Sequence, residues 1–217
     1  MRPFMLGALL IGSLLWSVAA VAQVVYNNGP INGTTDAWTI NSGFVVTDTF
    51  TVSTANATPD GLVFGAWAFP GDVLESAEVS VTSEAFGGTT YFDQVVNFTQ
   101  SACSANQYGF NVCTETGSFN GPNLANGTYW LELQNAVVTT GDPIYWDENS
   151  GVGCTSPGCP SVAQSNSCIS NSEIGCIPSE SFTLLGGGTS TVPEPGSFLL
   201  FGSGFLGVLA IMRRRSR

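Results

Sequence analysis

Alternation of apolar and polar positions dominates residues 23–185. The clearest run is Phe44-Val45-Val46-Thr47-Asp48-Thr49-Phe50-Thr51-Val52. Phe44, Val46, Phe50 and Val52 share one alternate face, with Asp48 the exception on it, and Val45, Thr47, Thr49 and Thr51 share the other. A period of two is the mark of a strand with one face buried. Further strands are predicted over Ala37–Ile40, Leu62–Phe69, Ala77–Ser83, Tyr91–Gln100, Tyr108–Cys113, Tyr129–Ala136, Ile144–Trp146 and Ser181–Leu185. Turn signals separate them, among them Asn32-Gly33, Pro59-Asp60-Gly61, Pro70-Gly71-Asp72, Gly87-Gly88, Asn126-Gly127 and Gly141-Asp142-Pro143. No stretch of this region holds a long 3.6-residue period. The expected body is therefore all-β, an antiparallel β-sandwich, jelly-roll-like, with a closed barrel as the second arrangement. Ser101–Gly109 is expected to be a hairpin loop. Asn149–Pro178, rich in Gly, Ser, Asn and Cys, reads as a long insertion.

The two ends follow a different pattern. Residues 1–22 have the three regions of a secretory signal peptide: Arg2, an apolar run from Phe4 to Val18, and the small-x-small site Ala20-Val21-Ala22. Cleavage there would start the mature chain at Gln23. After the body (23–185) and a Gly/Ser/Thr linker (186–191), the segment 192–217 begins with Pro193-Glu194-Pro195. A mostly apolar run, Gly196–Met212, follows, and then Arg213, Arg214 and Arg215. As a helix that run would rise about 25 Å at 1.5 Å per residue, at the short end for a hydrocarbon core of about 30 Å. The arginines favour the cytoplasmic side. The prolines hold an extended, non-helical collar just before the helix.

Triplet, apolar run, basic cluster and C-terminal position together resemble the PEP-CTERM sorting signal of Gram-negative bacteria. The resemblance covers about 25 of the 217 residues. It implies recognition of Pro193, Glu194 and Pro195 by an exosortase, a membrane-embedded cysteine peptidase or transpeptidase. Release or attachment at the cell surface would follow, often in cells that make exopolysaccharide. The implied route passes through an inner-membrane intermediate to the outer surface or extracellular matrix. A plain single-span tail anchor is the simpler alternative.

Charge sharpens this picture. The chain has 16 acidic and 5 basic residues and no His. Every basic residue is an arginine at an end: Arg2, Arg213, Arg214, Arg215 and Arg217. Residues 23–212 thus hold all the carboxylates and no cation. Such a body repels phosphate backbones and anionic lipid, so nucleic acid is excluded as a partner and the membrane enters only through the sorting helix. It suits solubility, cations or neutral sugars. The 6 cysteines, Cys103, Cys113, Cys154, Cys159, Cys168 and Cys176, read as three disulfides in an exported protein. Their spacing favours sequential pairing. A zinc site is the alternative, though no His is present to complete one.

Without His or Lys, a Ser-His-Asp triad, a Cys-His pair, a lysine Schiff base and a phosphate loop are all ruled out. No catalytic residue is assigned. Carboxylates are the remaining acid–base tools, with Asp93, Glu132, Asp147 and Glu148 as the candidates for a glycosidase pair. No enzyme activity is expected, and these acids read first as solubilising charges. No cofactor is expected either, apart from calcium, for which the oxygens of Asp142–Ser150 are the candidate ligands. Sugar binding would use aromatic rings from Trp38, Trp67, Trp130, Trp146, Tyr91 or Tyr129. Within Tyr129-Trp130 and Tyr145-Trp146 one ring of each pair should face inward. Trp146, beside Asp147 and Glu148, is the expected exposed ring and the centre of a sugar or calcium site. The expected function is a structural or adhesive component of exopolysaccharide or biofilm, with a carbohydrate-binding module as the alternative.

Overall fold

A computed structural model describes residues 23–53, 57–149, 162–166, 177 and 179–186. The expected signal peptide, the sorting segment with its expected helix, and Cys154, Cys159, Cys168 and Cys176 lie outside the described residues. The described residues form eleven strands: β1 (Gln23–Asn27), β2 (Ala37–Thr39), β3 (Val45–Val52), β4 (Pro59–Ala68), β5 (Leu74–Glu84), β6 (Gly87–Ala105), β7 (Asn111–Ser118), β8 (Gly127–Val138), β9 (Tyr145–Asp147), β10 (Ala163–Ser165) and β11 (Phe182–Gly186). Among the described residues no helix is long and apolar enough to cross a membrane.

All the strand pairs are antiparallel, in the order β1-β11-β4-β7-β6-β5-β8-β3-β10, with β9 pairing both β4 and β2. The result is one open, curled sheet. It folds about β6, a strand of 19 residues. The first half of β6 pairs with β5, from Gly87 to Asn97. Its second half pairs with β7, from Phe98 to Ala105. One strand thereby belongs to both halves, which face each other across a shared core. Gly117 permits the crossing, since a Cβ there would meet Phe98 and Val96 at 2.7 Å.

The alternating pattern explains the core. Val46, Phe50 and Val52 of β3 face inward with Leu131 and Leu133 of β8, and across from them stand Leu62, Phe64, Phe182 and Leu184. Each such large apolar side chain contributes about 1.5–3 kcal/mol by leaving water. The curl brings β1 close to β3 without pairing them: the Tyr26 and Phe50 rings are 6.1 Å apart.

The sequence pattern missed β1 and β10. Each is short, and β10 lies inside the cysteine-rich insertion Asn149–Pro178, where the sequence predicts only loop. The hairpin differs as well. β6 continues through Ala105, so the turn is only Asn106–Phe110, where Asn106 Oδ1 accepts the N–H groups of Tyr108 and Phe110, each at 3.0 Å. Local side-chain bonding of this kind closes a tighter turn than composition suggested. Cys103 and Cys113 are joined, as their spacing predicted. Closing so short a loop stabilises by about 2–3 kcal/mol on the chain-entropy model.

Candidate functional site

Trp146 is not exposed. Residue pairing places it opposite Ala66 of β4 and Trp38 of β2. It therefore shares the core face with Phe64 and Phe182, whose rings lie 6.1 and 5.6 Å away. Its Nε1–H donates to the Ser181 carbonyl at 2.9 Å, so the ring is fully buried and satisfied. Alternation was right and the side was reversed: Tyr145 is the outward, half-buried ring of that pair. In the other pair Tyr129 is buried and Trp130 is half-buried. The sugar-binding centre expected at Trp146, Asp147 and Glu148 is thus a buried polar centre.

Asp147 is the anchor of that centre. Its Oδ1 accepts from Gly33 N (3.0 Å) and Trp67 Nε1 (2.6 Å), and its Oδ2 from Asn32 N (2.9 Å) and Ser181 Oγ (3.2 Å). Gly65 makes room for it, because a Cβ there would come within 2.8 Å of Asp147 Cβ and 2.7 Å of Ile31. Burial raises the Asp147 pKa, and the four donors pull it back. The Asn32-Gly33 turn predicted from sequence is therefore tied to the sheet by a carboxylate.

Two glutamates beside it are treated differently. Glu148 and Glu180 face each other on an isolated antiparallel bridge. Opposed residues in such a pair project to the same side of the sheet, about 4.5–5.5 Å apart at Cβ. Glu148 is 1% exposed and Glu180 0%. Glu148 Oε1 accepts Trp38 Nε1 at 2.6 Å, while its Oε2 and both Glu180 oxygens have no hydrogen-bond partner. Asp48, the acid that interrupted the apolar face of β3, comes from the opposite half. Its Oδ2 accepts from Asn28 Nδ2 (2.9 Å), Ser179 Oγ (3.2 Å) and Glu180 N (2.7 Å). Asp36 stands exposed at the rim, where its carbonyl accepts Glu148 N at 3.1 Å. Burial holds Glu180 well above the usual carboxylate range, with Asp48, Glu148, Asp147 and Asp36 adding to it. Glu148 is raised by burial, against the Trp38 bond, and further by Asp36 and Asp147. Asp48 and Glu180 were missed as site residues. Both had a legible signal, an acid in phase with an apolar row: Val46-Asp48-Phe50, and Glu180-Phe182-Leu184.

The remaining acids are separate from this centre. Glu115, on the core face opposite Phe64, is buried, and burial pushes it up to about 7 against one bond from Gln100 at 3.2 Å. Asp93 and Glu132 flank Ser80 on the other half of the sheet, away from the core-facing Val79 and Val81. The four glycosidase candidates therefore fall into two distant pairs. Among the described residues, no three acidic or cysteine side chains already converge as a ready-made metal ligand set.

Rings do reach the surface elsewhere. Tyr108, at the hairpin turn, is 52% exposed and stacks on Trp67 at 5.5 Å with a 20° interplanar angle. Phe110 joins Trp67, Phe69 and Tyr145 at 5.9, 4.9 and 5.4 Å. Phe69 is 38% exposed. These rings form an aromatic ridge on the outward side of β4 and β9.

The described body is thus an all-β, disulfide-bonded domain, joined to a terminal segment of another kind. That segment, residues 191–215, matches the family model of the PEP-CTERM protein-sorting motif. The chain carries the sorting tail of an exported protein that an exosortase handles at the membrane. No curated protein and no solved structure matches the chain.

Proposed function

We propose that the protein is a structural or adhesive component of the cell surface or extracellular polysaccharide matrix of a Gram-negative bacterium, acting by contact and not by catalysis. The single observation that carries this reading is the PEP-CTERM motif at residues 191–215. It is attached to a body that holds carboxylates and no cation. On this reading residues 1–22 are removed at Ala20-Val21-Ala22, and Arg213–Arg215 hold the tail at the cytoplasmic face. Pro193, Glu194 and Pro195 present it to the exosortase. Replacing those three residues with alanine should leave a longer, membrane-bound form in fractionated cells. An unchanged mature mass and location would overturn the reading.

A second reading, a carbohydrate-binding module, is favoured by the ridge of Tyr108, Phe69, Phe110 and Tyr145 around Trp67. Aromatic faces stack on sugar faces, and a body without cations suits a neutral glycan better than an acidic one. The strand order lends support: β1-β11-β4-β7 and β6-β5-β8-β3 follow the two interleaved four-stranded runs of a jelly roll, an architecture that includes lectin domains. That likeness is one of architecture only.

A further inference from the structure

Glu180 poses a physical problem that the sorting role does not address. A carboxylate removed from water without a partner is among the most costly groups a fold can bury. Native proteins resolve such cases with a proton, a counter-charge or a metal. The body supplies no counter-charge, because residues 23–212 contain no Lys, Arg or His. The neighbouring groups make the problem worse: Asp48 on β3, Asp147 on β9, Glu148 after it and Asp36 before β2 are all acids. Three carboxylate oxygens, one from Glu148 and two from Glu180, are buried without a hydrogen bond, and they belong to residues that face each other.

We infer that Glu148 and Glu180 bind a divalent hard cation, calcium, at the rim of the core, with Asp36 at the entrance. The two facing carboxylates offer three unpartnered oxygens of the six to eight that calcium takes, and its coordination is tolerant enough for Asp36, backbone carbonyls and water to complete the shell. Magnesium, which demands a near-ideal octahedron and gives up water reluctantly, fits a buried glutamate pair less well. Trp38 keeps the Glu148 side chain in place through the 2.6 Å bond to Oε1 and leaves Oε2 buried without a hydrogen bond. Bound calcium would link the end of β9 to the segment that leads into β11. It would also hold down the two ends of the cysteine-rich insertion, near Asn149 and Ser179.

The test uses the processed exported protein, stripped with EDTA and titrated at pH 7.5. Calorimetry with calcium should give one strong site per chain. Calcium at about a hundred times its Kd should raise Tm by about 5–10 °C. Terbium should bind the same site and luminesce on excitation at 280 nm, because Trp38 touches Glu148, and calcium should quench that signal by displacement. Glu180→Gln and Glu148→Gln should abolish the strong site, and the exposed Asp36→Asn should weaken it severalfold in a fully folded protein. Glu75→Gln, on an exposed position of β5, should leave it unchanged. A folded wild-type protein with no saturable calcium site would overturn the inference. So would a site whose affinity is the same in Asp36→Asn and in whichever glutamate variant folds.

Discussion

Asp147 and Glu180 are both fully buried acids on neighbouring segments, and they play different roles. Asp147 receives four hydrogen bonds, from a loop backbone, an indole and a hydroxyl. Glu180 receives none at either oxygen. Burial alone therefore does not say what a carboxylate does. Asp147 is a construction element: it satisfies donors that would otherwise be stranded, and it fastens residues 32–33, Trp67 and β11 to one point. The Glu180 carboxyl group satisfies no donor within the described residues, so this side chain is a cost to the fold until something external compensates it.

The sharpest way to break this contrast is to delete each carboxylate. Asp147→Ala strands two backbone N–H groups and an indole N–H, and should destabilise by about 3–5 kcal/mol. Glu180→Met, close in shape and apolar, should change stability in the opposite direction, by about 1–3 kcal/mol in EDTA. Urea denaturation of the two variants beside the wild type checks the signs. Equal destabilisation by both would erase the distinction.

Glu115 extends the comparison to pH. Its ordinary value is 4.5 and burial raises it to about 7 in the fold. The unfolded chain ionises first as pH rises, so the contribution to stability is complete below about pH 4.5, declines through about pH 7, and is flat beyond. The loss is about 3 kcal/mol. Glu132, Asp147 and Glu148 are shifted in the same direction, chiefly by burial. The protein should therefore melt higher at pH 5 than at pH 7.5, and Glu115→Gln should flatten part of that slope. A wild-type Tm that rises from pH 5 to 7.5 would contradict the shifts.

The smallest effect on stability belongs to the surface ridge. Tyr108→Ala should cost less than about 1 kcal/mol, since half the ring is already in water. If the ridge holds glycan, the same change should remove retardation of the protein in affinity gels cast with a neutral polysaccharide from the host matrix. Unaltered retardation would place any glycan contact elsewhere.

Most of the strands were legible because their residues alternate: β3, β4, β5 and β8 each carry an apolar row in phase with the core. β1 and β10 were not, since a few residues give too short a window for a period of two. Trp146 shows the limit of alternation. The pattern says that neighbours face opposite ways, but which way depends on the partner strand, here the pairing of Trp146 with Ala66. The acid centre was half legible. Asp147 and Glu148 stood out as a local cluster, whereas Glu180 joins them by antiparallel pairing with Glu148, and Asp48 through the curl of the sheet, across 132 residues in the case of the Asp48–Glu180 contact. Parity alone marked them, as acids standing in apolar rows.

The central claim is that this acidic β body is delivered by its tail. The intact mass of the protein, taken from cells and from medium before and after reduction, tests it most directly. The account predicts a chain that starts at Gln23, ends near Pro193-Glu194-Pro195 and gains six hydrogens on reduction. A chain that still ends at Arg217 in every fraction would contradict it, leaving a membrane-anchored protein without sorting.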